Sequence, residues 1–198
     1  MTFTRAASTS ATTPTHVVLI RGINVGGKNP VPMAQLRAAL EERGYDAVAT
    51  YIQSGNVVLA APGSDAATVS LAVESVLAED FGVDTVVLTL AAETLRAATS
   101  DAPTGFGAEP DVYHYDVAFL LPGITGAQAL PAFGIREGVD TAWAGPGAVY
   151  FRRLSAERTK SKLPRVMSSP LYKKMTVRNW RTCTRLVAML DSTGPPEA

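Results

Sequence analysis

Hydrophobic residues in the first half of the chain recur in short runs that suit strands and at spacings that suit helices. An apolar run predicts a strand over residues 16–20. Apolar residues at helical spacing over 32–43, with a proline near the first turn and Gly44 just past the end, predict a helix. The same signals predict further strands at 47–52, 56–60 and 84–90 and a helix at 65–80. The order β-α-β-β-α-β is the split-βαβ or ferredoxin-like pattern.

The second half repeats a related order with weaker signals. A short helix at 91–98 and a loop at 100–111 precede a strand at 112–121. The later predicted elements are a weak helix at 126–133, a hairpin of strands 141–144 and 148–154, an interrupted helical stretch from 157, and a final helix at 177–190. In that final helix, Trp180, Thr184, Val187 and Leu190 are expected to face inward. We therefore predict an α+β fold of two ferredoxin-like subdomains with mainly antiparallel sheets.

Four segments follow from these patterns. Residues 1–15 are rich in Ser, Thr and Ala, lack the apolar region of a secretory signal, and are expected to form a disordered tail. Residues 16–90 form the first subdomain, residues 91–190 the second, and residues 191–198 a loose tail.

Charge is unevenly distributed, although the 198-residue chain has a formal net charge of zero. Residues 1–100 carry a net charge of −3, residues 101–149 of −5 and residues 150–198 of +8. Within residues 152–185 the only acidic residue is Glu157. Such asymmetry predicts either an anionic partner or pairing between the acidic 101–149 and basic 152–185 segments.

Composition also excludes several classes of protein. One cysteine and two histidines are too few for a Cys/His zinc cluster, so we expect no metal site of that kind. No apolar run approaches the ~18 residues that a membrane span needs, so we expect a cytoplasmic protein without a membrane partner. The single cysteine, Cys183, has no identifiable neighbouring base and is interpreted as a packing residue. His16 and His114 are interpreted as structural residues.

The glycine-rich segment 21–29, RGINVGGKN, is the least ordinary stretch of the chain. Gly22 and the Gly27-Lys28 pair match the G-x-x-x-x-G-K part of a phosphate-binding loop. Three features argue against a nucleoside triphosphatase: Asn29 stands where that loop needs Ser or Thr, prolines follow at 30 and 32, and no parallel sheet is predicted. Two interpretations stay open: an anion-binding loop using Lys28, or a tight turn that needs glycine for positive φ.

A second polar cluster lies at the tip of the first predicted hairpin. Gln53, Ser54 and Asn56 there place amide and hydroxyl groups that suit a base edge, a sugar or a carbonyl. The same residues are ordinary in a turn that bonds only to itself.

The third feature is the basic segment 160–185, which interleaves Lys and Arg with Tyr172 and Trp180. Cations and aromatic rings in this pattern can neutralise phosphates and stack on bases. We expect Arg178, Arg181 and Arg185 to lie along one face of the final helix. The alternatives are a solvated face or ion pairs with the acidic segment.

These three segments together resemble a known family. The strings LIRGINVGGKNPVPMAQLR, YIQSGNVV and LYKKMTVRNWRTCTRL are similar to the signature stretches of the bacterial domain-of-unknown-function 1697 family. The resemblance runs from about Val17 to Leu190 and implies two ferredoxin-like subdomains, but no reaction, cofactor or catalytic residue. The motif positions that it marks as a shared site are Arg21, Asn24, Lys28, Gln53, Ser54, Asn56, Lys173, Lys174, Thr176, Arg178 and Asn179.

Three functions are consistent with these observations. The first is a binding module for nucleic acid or a phosphorylated small molecule, with its site in the cleft between subdomains. There, Arg21 and Lys28 would meet Lys173, Lys174 and Arg178. The second is an enzyme acting on a nucleotide or phosphorylated substrate, although no convincing general base is visible. The third is a scaffold whose basic half docks on an acidic partner or on a second copy.

Overall fold

Two four-stranded antiparallel sheets organise the computed structural model, which describes residues 12–192. The first sheet has the strand order β2-β3-β1-β4 and carries two helices. Its elements in chain order are β1 (His16–Ile20), α1 (Met33–Glu42), β2 (Asp46–Tyr51), β3 (Asn56–Ala60), α2 (Ala66–Phe81) and β4 (Val87–Ala91). The predicted β-α-β-β-α-β order is therefore confirmed.

Local signals explain where the two helices of this subdomain form. Met33, Leu36 and Leu40 are buried on one face of α1, as the spacing predicts. The side chain of Asp65 accepts the amide of Thr68 at the start of α2, and Gly82 ends that helix in the left-handed conformation.

The second sheet has the order β6-β7-β5-β8, which repeats the first topology. Its elements are α3 (Ala92–Ser100), β5 (Tyr113–Leu120), α4 (Gly126–Ala129), β6 (Asp140–Gly145), β7 (Ala148–Leu154), β8 (Met175–Asn179) and α5 (Trp180–Asp191). Three 3-10 helices, Ser155–Lys160, Leu163–Ser168 and Pro170–Lys174, join β7 to β8. The predicted α+β fold of two subdomains is confirmed.

The core is layered because both faces of each sheet are covered. In β1, Val18 and Ile20 pack towards α1 and α2, whereas Val17 and Leu19 point into a second cluster shared with the other subdomain. This shared cluster holds α3 and α5 between the inner faces of the two sheets. A third cluster packs the opposite face of the second sheet against α4 and the 3-10 helices.

The sequence prediction was wrong about where the final helix begins. A helix was expected over 177–190, but residues 175–179 form β8, which pairs antiparallel with β5, and α5 begins at Trp180. Pairing with β5 overrides the local helical pattern, as tertiary context commonly does. Arg178 therefore lies on a strand and does not share a helix face with Arg181 and Arg185. Thr184, expected to face inward, is exposed.

The ends of the chain are only partly described. Residues 1–11 of the predicted disordered tail and 193–198 of the predicted loose tail lie outside the described residues. Thr15 is held by the first sheet, because its amide donates to the carbonyl of Leu59 and its hydroxyl accepts the amide of Ala61. Across residues 12–192, none of the helices combines the length and apolar character that crossing a membrane requires.

Candidate functional site

Arg178 connects the three polar segments. The side chain projects from β8 and is only 8% exposed. Its Nε donates to Asn56 Oδ1 at 2.5 Å, and its NH2 donates to the carbonyls of Ile20, Ser54 and Gly55 at 2.7, 3.3 and 3.2 Å. These acceptors belong to the end of β1 and to the β2–β3 turn. One side chain of the second subdomain thus binds two loops of the first.

The rest of the Arg178 guanidinium is held by its own strand. NH1 donates to Thr176 Oγ1 at 2.8 Å and to the carbonyl of Val177 at 2.9 Å. All the acceptors are neutral, and burial lowers the pKa of Arg178 to about 10. Since hydrogen bonds within the protein engage every nitrogen of the guanidinium, Arg178 acts as a positioning residue in this geometry.

The β2–β3 turn directs its acceptor oxygens towards Arg178. Asn56 turns its amide nitrogen inward, to the Tyr51 carbonyl and the Ser54 hydroxyl, both at 3.1 Å, and leaves its oxygen for Arg178. Gly55 has φ +75°, and a Cβ there would lie 2.9 Å from Ile20 Cβ. Glycine is therefore required at this position by both conformation and space. Gln53 remains exposed at the tip.

The glycine-rich loop is a self-bonded turn. Positive φ angles occur at Gly22, Asn24, Gly26, Gly27 and Asn29, the two residue types that tolerate this region best. The Asn24 side chain donates to the carbonyl of Val31 at 2.9 Å and accepts its amide at 2.8 Å. The same amide nitrogen donates to the Gln53 carbonyl at 2.8 Å, which ties this loop to the β2–β3 turn.

Four cations lie on the chain segments that form this network or adjoin it. The Arg21 guanidinium lies 4.9 Å from the centre of the Tyr172 ring, a cation–π distance, so the third 3-10 helix adjoins the end of β1. Lys173 and Lys174 follow Tyr172 and are exposed, as is Lys28 in the glycine-rich loop. We call Arg21, Lys28, Lys173 and Lys174 the basic rim.

The residues of the expected site thus divide into three groups. Asn24, Ser54, Asn56 and Arg178 form the hydrogen-bonded scaffold. Gln53 and the lysines of the basic rim are exposed on the segments that carry or adjoin it. Asn179 belongs elsewhere, because successive residues of a strand point to opposite faces. Its Oδ1 accepts the amide of Arg181 and its Nδ2 donates to the carbonyl of Tyr115 at 3.0 Å, which caps α5 against β5.

Sequence reasoning missed the roles of two neighbours of this network. The Thr176 hydroxyl accepts a hydrogen bond from Arg178 NH1, and the Tyr172 ring makes a cation–π contact with Arg21. Tyr172 was visible as an aromatic residue within a basic segment, but nothing in the sequence paired it with Arg21, 151 positions earlier.

A separate polar cluster on the second sheet was also missed. Asp116 is buried, with Oδ1 3.3 Å from His114 Nε2 and Oδ2 3.3 Å from Arg153 NH2. These residues lie at the end of the sheet opposite Met175, because Arg153 pairs with His114 and Leu120 pairs with Met175.

The basic 152–185 segment is largely exposed. Eight of its cations are exposed: Arg158, Lys160, Lys162, Arg165, Lys173, Lys174, Arg181 and Arg185. Among the described residues, Arg153–Asp116 is the one ion pair between this segment and the acidic 101–149 segment. Most of the positive charge of the 152–185 segment is therefore not paired with the acidic segment.

Cys183 and the possible metal ligands were also located in the structure. Cys183 is fully buried, and burial raises the pKa of its thiol to about 12, so at neutral pH it is protonated rather than a nucleophilic thiolate. Within residues 12–192, no group of three or more His, Cys, Asp or Glu side chains is arranged to hold a metal ion.

Comparisons with known proteins agree with this architecture. A family model described as "Protein of unknown function (DUF1697)" matches residues 14–150. The solved structure of the conserved bacterial protein SP0830 from Streptococcus pneumoniae is similar, with a TM-score of 0.74 and 25% sequence identity. The match covers 90% of this chain and 99% of that one. No curated protein matches the chain.

Proposed function

Because this chain belongs to the DUF1697 family, for which the name states no function, we propose a role from the site itself: an anion-binding module. Its ligand surface is the basic rim, and a single-stranded nucleic acid is the polyanion used to test it. The observation that carries this proposal is the convergence of the three polar segments through Arg178, with exposed cations left around them.

Different residues hold the site together and remain available for a ligand, and this separation supports an extended ligand. Arg178 and Asn56 are already hydrogen-bonded to each other and hold the loops together. The cations of the rim therefore remain available to bind a ligand. The centre of the junction is filled by buried side chains, and the lysines lie outside it. An open, positively charged surface suits a polyanion that follows it with several phosphates.

Fluorescence anisotropy with a labelled single-stranded oligonucleotide at about 50 and about 200 mM salt tests this function. We expect Lys28→Ala, Lys173→Ala and Lys174→Ala to weaken binding. Each should lower the salt slope by about 0.7 for the phosphate contact it removes.

Lys162→Ala is the matched control. Lys162 is also exposed, but its amide binds Asp140 Oδ2 at 2.8 Å, beside the end of the second sheet far from Met175. Oligonucleotide binding that survives all three rim substitutions, or that falls equally in the control, contradicts the proposal.

A second candidate ligand is a phosphorylated small molecule, favoured by an open cavity beside the rim. The cavity has a volume of about 300 Å³, at the lower end for small-molecule sites. It is lined by Lys174 together with Gly123, Ile124, Gln128, Pro170 and Leu171. Thermal stabilisation by a phosphometabolite that is lost in Lys174→Ala, but kept in Lys28→Ala, would favour this ligand over nucleic acid.

A further inference from the structure

Two exposed aliphatic side chains lie on the two loops that the Asn24 side chain joins. Val25 is 63% exposed in the glycine-rich loop, and Ile52 is 52% exposed in the β2–β3 turn. The hydrogen bond from Asn24 to the Gln53 carbonyl joins these loops one residue away from each side chain. We call Val25 and Ile52 the aliphatic tip.

Ile52 is held in an unfavourable backbone conformation. Its φ is +49°, in the left-handed region where a β-branched side chain is a genuine outlier. The surrounding structure fixes this geometry, because Ser54, Gly55 and Asn56 are all bound by Arg178. Asn or Gly would fit the position with less strain and without exposing hydrocarbon to water. Strain of this kind concentrates at functional sites.

We propose that the aliphatic tip and the basic rim form one docking surface, whose occupant is an acidic peptide segment carrying aliphatic side chains. This inference rests on the proposed anion-binding function and names a protein partner for the same surface. Carboxylates would meet Lys28 and the other cations of the rim, while aliphatic side chains would cover Val25 and Ile52.

The type of exposed hydrocarbon favours a peptide over nucleic acid. Bases stack on aromatic faces, and the aliphatic tip offers none. Tyr172, the aromatic residue beside Lys173 and Lys174, already has Arg21 against its ring. Aliphatic groups flanked by cations instead match a segment that presents both hydrocarbon and carboxylates.

The test measures binding of a fluorescent ten-residue peptide that alternates glutamate and leucine, beside the labelled oligonucleotide. We expect Ile52→Asn to weaken peptide binding about tenfold, since it removes one half-buried aliphatic contact. Oligonucleotide binding should stay unchanged. Because Asn tolerates the left-handed region, the same substitution should raise the Tm by about 2–4 °C, so lost binding cannot be ascribed to misfolding.

Leu71→Asn is the matched control, because Leu71 is 67% exposed on α2, a helix that carries no residue of the tip or the rim. Equal losses of peptide binding in Ile52→Asn and Leu71→Asn overturn the inference. So does a loss of oligonucleotide binding in Ile52→Asn as large as the loss of peptide binding, which would make nucleic acid the occupant of the tip.

Two further outcomes separate the inference from the proposed function. If the oligonucleotide binds through the rim lysines but the peptide does not bind, the peptide partner is wrong and the anion-binding function stands. If neither probe binds, both are overturned. Sedimentation that shows self-association lost in Ile52→Asn would replace the peptide with a second copy of the chain.

Discussion

Arg178 shows how a single buried cation can serve structure rather than ligand binding. Its guanidinium sits among the carbonyls of Ile20, Ser54 and Gly55 and the side-chain oxygen of Asn56, which together replace much of the water it loses. Desolvation still opposes the charge, which is why the pKa of Arg178 falls to about 10. The group nonetheless stays protonated near neutral pH, and its donors remain in place.

Arg178→Met should therefore lower the free energy of unfolding by about 3 kcal/mol or more, since buried carbonyls lose donors that a thioether cannot replace. Arg178→Lys should recover little, because one ammonium group cannot reach acceptors spread around a planar fork. Urea denaturation followed by circular dichroism gives the measurement.

Arg181→Met, on the exposed side of α5, is the control and should change stability by no more than about 0.5 kcal/mol. A similar small change in Arg178→Met would show that the Arg178 bonds contribute little to folding.

The junction of β8 and α5 distributes the residues of the string LYKKMTVRNW over different surfaces. Strand geometry sends Arg178 towards the first subdomain and Asn179 towards β5. Asn179 then begins α5 by accepting the Arg181 amide, so the strand passes into the helix without a linker. Two adjacent residues thus have different structural roles: Arg178 binds the first subdomain and Asn179 caps α5.

Asn179→Ala should lower stability by about 1 kcal/mol because α5 loses its N-terminal cap. A Tm decrease of about 2–4 °C is the corresponding thermal shift. Asn179→Asp keeps the accepting oxygen and should recover most of the loss, whereas a Tm unchanged in Asn179→Ala would contradict the capping role. Oligonucleotide binding should be unaffected in both variants, because Asn179 lies away from the basic rim.

At the scale of the whole molecule, the two subdomains share one of the three core clusters. Leu19 and Val58 from the first sheet pack in the same cluster as Phe119 and Tyr150 from the second. Leu186 of α5 is buried in that cluster, between the two sheets. Separating the subdomains would expose this hydrocarbon and break the Arg178 bonds together, so neither half should persist alone.

We therefore expect a single cooperative unfolding transition. Tryptophan fluorescence reports only on the second subdomain, through Trp143 and Trp180, whereas far-ultraviolet circular dichroism reports on both. The two transitions in urea should coincide. A circular dichroism curve with a second step, absent from the fluorescence curve, would show that the first subdomain unfolds separately.

The sequence by itself determined the first ferredoxin-like pattern, the presence of a related second subdomain and most element boundaries. Periodic apolar positions and local punctuation, such as Asp65 before α2 and Gly82 after it, act within a few residues and can be read directly. The glycines of the 22–29 loop likewise predict a turn with positive φ angles, and the structure has such angles at its glycines and asparagines. The anion-binding interpretation of the same loop stays a prediction.

Tertiary structure alone decided how the polar segments are used. Residues 175–179 became a strand because β5 offered an unpaired edge, an interaction between segments more than 50 residues apart. Arg178 became a scaffold because oxygen atoms of residues 122 to 158 positions away converge on it. Such contacts depend on how the two sheets pack against α3 and α5, and no local pattern encodes them. Local periodicity determines most of the elements, but packing decided β8 and decides which charges are buried and which stay exposed.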